Sequence, residues 1–363
     1  MRPKIRLRVD VMSGSHFRLA EILAVLAFAL AIAVAAQEVR NQESDELVLG
    51  LAGDTMLGRL VDGVIEEKGD LYPWGDMLSI LRSTHLNLVN LETTLTHSDK
   101  KTLKTFNFRA SPDRVKSLLE ARIKICNLAN NHILDFGIEG MRETMAALEQ
   151  AGIAYVGAGA SSEQARAPVI LDLGGMTLGV LGCTDNEPLW DAESTRPGTY
   201  FVSVLEPEEL ESRVKELASK VDLLILSIHW GPNMRRAPPQ SFVRFAHRLV
   251  EAGVDIFHGH SAHIPQGIEV YRQGIIFYDN GDFVDDYRVT PELRNDQSFV
   301  ALVRVGSTGL RSVQLIPTLI SEMQVNRASG RDYREIVDRI KRLSAVLGTE
   351  VVERQGKVWV SLP

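Results

Sequence analysis

Seven residues that are able to bind a cation or to move a proton follow short apolar runs of the chain. Their ligand groups are oxygens and imidazoles, with no thiolate among them. Such a set suits a site for Mn, Fe, Zn or Mg rather than a structural zinc site built from cysteines. One such residue after a strand is usually a turn or helix cap, but a succession of them indicates a shared metal site. They are Asp54, Glu92, Asn131, His132, His229, His260 and His263.

The elements that position these residues are predicted from aliphatic runs and helical spacing. Near-continuous aliphatic runs fit strands buried on both faces, and their alternation with helices predicts βαβ units. In such sheets ligands bind outside the carboxyl ends of the strands, where the candidate residues stand. We expect strands over 47–52, 86–91, 123–129, 221–228 and 254–257, helices over 112–120, 138–151, 206–220, 239–252 and 332–347, and three hairpins over 169–182, 268–278 and 350–360.

Four of the candidates also have a purely structural interpretation. Asp54 and Asn131 are suited to capping the segments that follow them. His132 and His229 are suited to the role of a buried imidazole that is hydrogen-bonded to the backbone. These alternatives stay open for each residue taken alone, and the argument for a metal site depends on the whole set.

Glu92 and His258 receive opposite interpretations. Glu92 ends an apolar strand, where a carboxylate without a cationic partner would be costly to remove from water, and this favours a ligand role. His258, His260 and His263 lie within six residues of one another. We expect His258 to be structural and to face away from His260, and we leave open which of the other two histidines binds which ion.

The first 36 residues form a separate segment. Basic residues precede the uncharged apolar run Ile22–Ala36, and small residues at 33–35 suit cleavage, which is the pattern of a secretory signal. An uncleaved membrane anchor is the rival interpretation, and a misassigned start codon on a cytoplasmic protein is a third. We therefore predict a signal peptide or anchor over 1–36 that places the chain outside the cytoplasm, a linker over 37–46, a main domain over 47–320, and a helix and hairpin over 321–363 packed on the same domain.

Composition excludes several classes of protein. The chain has 363 residues, is 45% hydrophobic and 24% charged, and has a net charge of −7. These values are typical of a globular protein and exclude a disordered chain or a small disulfide-stapled one. The acidity argues against nucleic acid as a partner. Cys126 and Cys183 follow apolar runs and are interpreted as buried free thiols, with a disulfide between them as the alternative.

At these residues the sequence resembles the CapA family of poly-gamma-glutamate capsule synthesis proteins, a branch of the calcineurin-like metallophosphoesterase superfamily. The order and spacing of the motifs agree over roughly residues 46–320. The segments that carry the resemblance are GDTMLGR (53–59), NLETTLT (90–96), FNFRASP (106–112), LANNHILDFG (128–137), SIHWG (227–231), GHSAH (259–263) and FYDNGDF (277–283).

The resemblance implies a four-layer αββα sandwich of two mixed sheets, with one or two divalent ions (Mn, Fe or Zn) at the strand ends. Carried over by position, Asp54 would bind the first ion and Glu92 would take the bridging place. Asn131, His229 and a histidine of the GHSAH segment would serve the second ion. His132 would match the histidine that protonates the leaving group in the superfamily.

The chain also departs from the superfamily pattern. Met56 stands where the first motif usually has a histidine, and two residues rather than one separate His260 from His263. Where many relatives read Gly-Asn-Phe, this chain has Asp282. Fewer strong ligands imply weaker or single-metal occupancy.

Two functions of different classes follow from the resemblance. One is a metal-dependent hydrolase that acts on a phosphoester or an acidic polymer, with Arg59 and Arg109 holding substrate anions through the two-point fit of a guanidinium. Both arginines could equally be ordinary surface residues. The other is a non-catalytic, membrane-attached accessory protein that binds a polyanionic capsule polymer beside the membrane proteins of capsule synthesis. A degraded site with a structural role is a third possibility.

Overall fold

The computed structural model describes residues 46–363, so the predicted leader and nearly all of the predicted linker lie outside the described residues. None of the helices in this described part is long and apolar enough to cross a membrane. Its strands are β1 (Leu47–Thr55), β2 (Leu86–Leu91), β3 (Thr94–Leu95), β4 (Arg109–Ala110), β5 (Ile123–Asn127), β6 (Ala154–Val156), β7 (Ala158–Gly159), β8 (Val169–Asp172), β9 (Thr177–Thr184), β10 (Gly198–Thr199), β11 (Leu223–His229), β12 (Ile256–His260), β13 (Ile268–Tyr271), β14 (Gly274–Phe277), β15 (Asp282–Val284), β16 (Gln297–Gly306), β17 (Gly309–Ser321), β18 (Gln324–Arg327), β19 (Val351–Arg354) and β20 (Lys357–Val360).

The helices follow the expected pattern of caps and breakers. The seventh, for example, begins after the Pro238–Pro239 pair and ends at Gly253, whose φ of 121° suits a residue without a side chain. The α-helices of residues 46–363 are α1 (Leu60–Lys68), α2 (Leu78–Leu81), α3 (Val115–Glu120), α4 (Gly137–Gln150), α5 (Ser162–Ala165), α6 (Glu208–Ala218), α7 (Gln240–Ala252) and α8 (Gly330–Val346).

Two large sheets form the centre of this part of the chain. The first has the order β19-β20-β17-β16-β1-β2-β5-β6, with β15 also pairing with β1 and β18 with β17. The second has the order β13-β14-β12-β11-β9-β8. Strands β1, β2 and β5 run parallel while β16 is antiparallel to β1, and β11 and β12 run parallel while β13 is antiparallel to β14. Both sheets are therefore mixed.

Three apolar cores define the layers. Leu49 and Leu88 of the first sheet share one core with Ile225 and Ile256 of the second sheet, so the two sheets pack face to face. The outer face of the first sheet packs against α1, α3 and α4. The outer face of the second sheet packs against α6 and α7. This arrangement confirms the predicted four-layer αββα sandwich.

The predicted strands and helices are present, with ends that differ by a few residues. Strands β16 and β17 are absent from the predicted set, although they lie in the middle of the first sheet, where β16 pairs with β1. The final hairpin β19–β20 extends the same sheet, because β20 pairs with β17. Cys126 and Cys183 are buried free thiols, so the alternative of a disulfide between them is wrong.

Candidate metal centre

Strand ends bring the candidate residues together. Asp54 is the last residue but one of β1, and Glu92 directly follows β2. These two strands are parallel neighbours. His229 and His260 are the last residues of β11 and β12, and they face each other in the register of the second sheet. Because the sheets pack face to face, the carboxyl ends of both strand pairs meet at one edge.

Asp54 is the residue that most of these side chains approach. Its Oδ1 atom lies 3.6 Å from Nδ1 of His229 and 3.5 Å from Nδ1 of His260, and its Oδ2 atom lies 3.3 Å from Nδ1 of His263. The amide of Asn90 donates to Oδ1 at 2.7 Å and fixes the carboxylate in this orientation. All of these side chains are buried.

Two groups of ligand atoms within 4.8 Å of one another share Asp54: one adds His229 and His260, and the other adds His263 and Asp282. Glu92 lies beside the first group, with Oε1 at 3.8 Å from Nε2 of His229. We call the set the candidate centre. Its members are Asp54, Glu92, His229, His260, His263 and Asp282.

The polar atoms of the candidate centre test whether it fits a metal ion. A buried polar atom normally has a hydrogen-bond partner, and leaving one without a partner costs about 1–3 kcal/mol. Here several buried acceptor atoms at one edge of the molecule have none, and oxygen and imidazole nitrogen are the ligands of Mn, Fe and Zn. These residues therefore fit a divalent cation. The atoms are Oε1 and Oε2 of Glu92, Nε2 of His229, Nε2 of His263 and Oδ2 of Asp282.

The electrostatics of the candidate centre follow from burial and close charges. Burial opposes ionisation of Asp54, but hydrogen bonds and charges from His229 and His263 hold its pKa well below the ordinary value. Burial, and then the charge of Asp54, raise the pKa of Glu92 well above the ordinary value. Burial opposes protonation of His263, but the carboxylates of Asp282 and Glu92 raise its pKa well above the ordinary value. A cation would relieve this crowding of acidic groups.

A chain of hydrogen bonds orients His260. The carbonyl of Ala52 can only accept, so Nε2 of His258 donates to it at 3.0 Å. Burial lowers the pKa of His258 to about 4, which keeps its Nδ1 as an acceptor for the Ser227 hydroxyl at 3.1 Å. The same hydroxyl oxygen then accepts from Nε2 of His260 at 3.1 Å. The Nδ1 lone pair of His260 is therefore turned toward Asp54.

These hydrogen bonds contradict one expectation about His258, its direction, and agree with the other, its structural role. The expectation that His258 faces away from His260 is wrong, because residues two apart on a strand point to the same side, and both contact Ser227. His258 uses both ring nitrogens on protein groups, as expected of a structural histidine.

The two residues between His260 and His263 determine how both histidines reach Asp54. Ser261 has a φ of 113° and His263 a φ of 58°, both in the left-handed region that non-glycine residues rarely adopt. The Ser261 amide donates to Oδ2 of Asp54 at 3.0 Å. The turn therefore places His260 near Oδ1 of Asp54 and His263 near Oδ2. Strained backbone of this kind costs of order 1–3 kcal/mol per residue and is concentrated at functional sites.

Asn131 makes no hydrogen bond or ion pair with the candidate centre in the described structure, although its Oδ1 atom is buried without a partner. Lys104 donates to its backbone carbonyl. The preceding residue, Asn130, is the better anchored, since its amide donates to Oδ1 of Asn90 at 3.1 Å and its Oδ1 accepts from the backbone N–H of His132. A ligand role for Asn131 stays a prediction.

His132 lies at the border of the candidate centre. Its Nε2 is 3.6 Å from Oε1 of Glu92, and its Nδ1 is 2.6 Å from Oδ2 of Asp135. The ring stacks on Phe108 with centroids 3.8 Å apart. Burial lowers the pKa of His132 to about 4, against the opposing effect of Asp135. The neutral ring donates a hydrogen bond from Nδ1 to Asp135. Its Nε2 therefore carries the lone pair and can accept a proton on the side that faces Glu92.

The two predicted anion-binding arginines occupy different places. The guanidinium of Arg59 lies 4.1 Å from the centre of the Phe108 ring, which also stacks on His132, and it pairs with Asp286. Arg109 pairs with the exposed Asp99 and has no contact with the candidate centre in the described structure. Arg59 is therefore near the site with a carboxylate partner already in place, while substrate binding by Arg109 stays a prediction without a supporting contact.

Sequence reasoning noticed Asp282 only as a departure and did not assign it as a ligand. Its Oδ1 atom lies 2.8 Å from Nδ1 of His263, and it pairs in register with Asp54 through the short strand β15. Asn90, which orients Asp54, was also missed. The signal for Asp282 was its carboxylate directly after Gly281 in an apolar segment. For Asn90 it was an amide inside the buried strand β2.

Two mixed sheets between layers of helices, with carboxylates and imidazoles gathered at the strand ends, define a four-layer α/β protein with a candidate metal centre. The family model of the bacterial capsule synthesis protein PGA_cap matches residues 48–287, and the chain belongs to this family. The family that the motifs predicted is thereby confirmed.

Curated relatives agree with this assignment. A protein of Mycobacterium tuberculosis with the name "probable polyglutamine synthesis accessory protein" is 34% identical over 373 residues, which cover 88% of this chain and 97% of that protein. The PGA biosynthesis protein CapA of Bacillus subtilis is 31% identical over 271 residues, covering 73% and 70%. The capsule biosynthesis protein CapA of Bacillus anthracis is 29% identical over 293 residues, covering 78% and 70%.

Solved structures with a similar fold include nucleotidases. A putative 5'-nucleotidase of Staphylococcus aureus superposes with a TM-score of 0.46 at 13% identity, covering 80% of this chain and 57% of that one. The NAD nucleotidase of Haemophilus influenzae has a TM-score of 0.43 at 13% identity, covering 82% and 62%. This chain thus spans less than two thirds of the length of either protein.

Proposed function

We propose that this protein is a metal-dependent hydrolase of capsule or poly-gamma-glutamate biosynthesis that acts on a phosphoester or an acidic polymer. The observation that carries the proposal is the candidate centre itself, where carboxylates and imidazoles lie close together and several of their buried oxygens and ring nitrogens have no hydrogen-bond partner. Four of its six side chains, those of Glu92, His229, His263 and Asp282, carry such atoms, and these atoms would be costly to keep buried without a ligand. A divalent cation is the ligand that suits them.

The chain's own residues have separate tasks in this proposal. A bound divalent cation would stabilise negative charge that develops on a phosphoryl or carbonyl oxygen. Asp54, His229, His260, His263 and Asp282 would hold it, in one or two positions that share Asp54. The buried position of these groups excludes bulk water and strengthens every charge interaction at the site.

His132 is the proposed proton-transfer group. Its Nε2 atom faces Glu92 at 3.6 Å, and Asp135 and Phe108 hold the ring in that orientation. The Asp135 carboxylate would stabilise the imidazolium that forms while a proton passes through Nε2. A positioned acid or base of this kind contributes about 10²–10⁴-fold to the rate.

Arg59 is the proposed anion-binding residue next to this histidine, since Phe108 lies between the guanidinium and the His132 ring. Its pairing with Asp286 would orient the guanidinium rather than saturate it, because that group has five N–H donors. A phosphate or carboxylate could then take the donors that Asp286 leaves unused.

A second candidate function is a non-catalytic accessory protein that holds an acidic capsule polymer. The Mycobacterium tuberculosis relative, with its name of accessory protein, favours it. The signal-like pattern of residues 1–36 supports a place outside the cytoplasm for either function, beside membrane proteins that assemble the polymer.

Turnover measured beside binding separates the two functions. The full chain, loaded with Mn²⁺, is assayed on a panel of phosphodiesters and on polyglutamate, together with His132→Ala. The hydrolase proposal expects cleavage that falls about 10²–10⁴-fold in the variant while metal content stays equal. Equal turnover in the variant would exclude the proton-transfer role. Binding of polyglutamate without cleavage of any substrate would favour the accessory function.

A further inference from the structure

A second basic feature lies beside the candidate centre. Arg236, Arg339 and Arg342 line a cavity of about 270 Å³, together with Ile264, Pro265 and Glu292. The first arginine comes from the loop after β11, and the other two come from α8 near the C-terminus. We call this cavity the arginine pocket.

The three guanidinium groups have no carboxylate partner in residues 46–363. Arg236 donates to the backbone carbonyl of Glu292 at 3.1 Å, and Arg339 makes a long contact of 3.4 Å with the carbonyl of Arg294. Arg342 makes no hydrogen bond or ion pair with a described residue. Burial, and then the charges of Arg294 and Arg342, lower the pKa of Arg339. The arginine pocket therefore holds three guanidinium groups against the single carboxylate of Glu292, and none of the three is ion-paired with a described residue.

A neighbouring arginine shows that the local structure is able to neutralise such a charge. Arg294 donates to Asp296 at 2.9 Å, to Asp332 at 2.5 Å and to Glu335 at 2.6 Å. Nearby acidic side chains are thus already engaged by this one guanidinium. The arginines of the pocket make no such ion pair in the described structure, and water reaches Arg236 and Arg342, which are exposed.

The whole protein is acidic, with a net charge of −7, so its general surface repels an acidic polymer. A local cluster of arginines reverses that sign. A guanidinium offers paired N–H groups that match the two oxygens of a carboxylate, and such charge-assisted hydrogen bonds are stronger than those between neutral groups. Carboxylate groups spaced along a flexible chain are a suitable ligand for several guanidinium groups in one cavity.

The arginine pocket shares two segments with the candidate centre. Arg236 lies in the loop that follows His229, and Ile264 directly follows His263, so a wall of the pocket begins about 4 Å along the backbone from that histidine. The two segments are bonded to each other, since the Met234 amide donates to the carbonyl of Ala262 at 2.8 Å. The pocket is therefore connected to the candidate centre through two short segments that are hydrogen-bonded to each other.

We propose that the arginine pocket is a carboxylate-binding subsite that holds an acidic polypeptide while a neighbouring part of the same polymer lies at the candidate centre. This inference rests on the proposed function, in that it takes the acidic polymer rather than a small phosphoester as the substrate class. In this proposal Arg236, Arg339 and Arg342 bind the polymer, and none of them is a metal ligand.

The test measures binding of fluorescently labelled polyglutamate to the full chain, by anisotropy at low and at physiological salt. The variant Arg339→Gln/Arg342→Gln removes two charges from the pocket. The control Arg311→Gln/Arg334→Gln removes two charges from exposed arginines that do not line it. We expect the pocket variant to bind polyglutamate at least about tenfold more weakly, and the control to stay within about twofold of the original protein.

Equal polyglutamate affinity in the pocket variant and the original protein would overturn the proposal, as would a loss of equal size in the control. Inorganic phosphate and vesicles of anionic phospholipid are run as competitors. If labelled polyglutamate does not bind the original protein, or if either competitor displaces it at a lower concentration of anionic groups than unlabelled polyglutamate does, the acidic polypeptide is the wrong ligand. Metal content and cleavage of a small phosphodiester are measured on the same proteins, and a failure there would affect the proposed function without changing the polymer comparison.

Discussion

The candidate centre and the Arg294 network represent opposite ways of arranging charged side chains. Arg294 lies near the surface and donates to three carboxylates, those of Asp296, Asp332 and Glu335. The candidate centre is fully buried, yet several of its acceptor atoms have no partner. The first arrangement is satisfied within the chain, and the second leaves buried acceptor atoms that a bound cation would satisfy.

The difference teaches how to separate groups that stabilise the fold from groups that bind. A satisfied surface network contributes modestly to the free energy of unfolding, because water competes for its members. Unsatisfied buried acceptors lower stability, and their cost is greatest where water cannot reach them. Substitutions should therefore reduce stability in the Arg294 network and reduce ligand binding in the candidate centre.

Glu92→Gln should give the largest effect. Burial and the charge of Asp54 raise the pKa of this carboxyl, so a neutral amide of the same shape is tolerated in the metal-free protein. We expect Mn²⁺ affinity to fall at least about 100-fold, with the metal-free free energy of unfolding within about 1 kcal/mol of the original value. Calorimetric titration and urea unfolding in a chelator measure the two quantities.

The exposed Glu67→Gln serves as the matched control for this substitution and should change neither quantity. If Glu92→Gln instead destabilised the metal-free protein by several kcal/mol and left Mn²⁺ affinity intact, Glu92 would belong with the structural networks.

Asp282→Asn should give the next effect. One oxygen of this carboxylate lies 2.8 Å from His263 and the other has no partner. Loss of its charge should weaken Mn²⁺ binding about 10–100-fold, because a ligand oxygen and the orientation of His263 are both affected. Calorimetric titration of the purified variant measures this. An unchanged affinity would remove Asp282 from the candidate centre.

The sequence permits prediction of much of this centre, for a physical reason. Buried parallel strands are long aliphatic runs, so their carboxyl ends, with Asp54, Glu92, His229 and His260, are visible in the sequence. The family resemblance added the order of layers. Asp282 was harder to assign because the short strand β15 has no aliphatic run to announce it.

Other features depend on contacts between distant segments, which no local pattern reports. The hydroxyl of Ser227 orients His260 only because β11 and β12 are neighbours. Strands β16 and β17 escaped prediction although residues 297–306 are almost wholly buried. The arginine pocket joins residues about a hundred positions apart, so its cluster of three arginines could not be found without the fold.

Arg294→Gln should produce the reverse of the Glu92 result. It removes an ion-pair network from the surface, so we expect the free energy of unfolding to fall by about 1 kcal/mol. Mn²⁺ affinity should not change, because the network does not contact the candidate centre in the described structure. Urea unfolding and calorimetric titration check both parts, and a loss of metal binding here would erase the contrast between the regions.

The smallest effect that we predict is the pH dependence of the stabilisation that the Arg294 network provides. The hydrogen bond from Arg294 is the largest influence on Asp332 and holds its pKa below the ordinary value of 3.8. Its contribution is therefore present above that pH and is lost as the pH falls through the lower value of the folded state. The stability gap between the original protein and Arg294→Gln should shrink between pH 6 and pH 3, as measured by urea unfolding. A constant gap would contradict this origin.

Anomalous diffraction from crystals of the full chain soaked in Mn²⁺ tests the central claim most directly. The account predicts a peak within about 2.0–2.4 Å of an oxygen of Asp54, with His229 and His260 or His263 and Asp282 completing its ligands. A second peak would share Asp54 with the first. No peak at Asp54, or Mn²⁺ bound only by exposed carboxylates elsewhere, would contradict it.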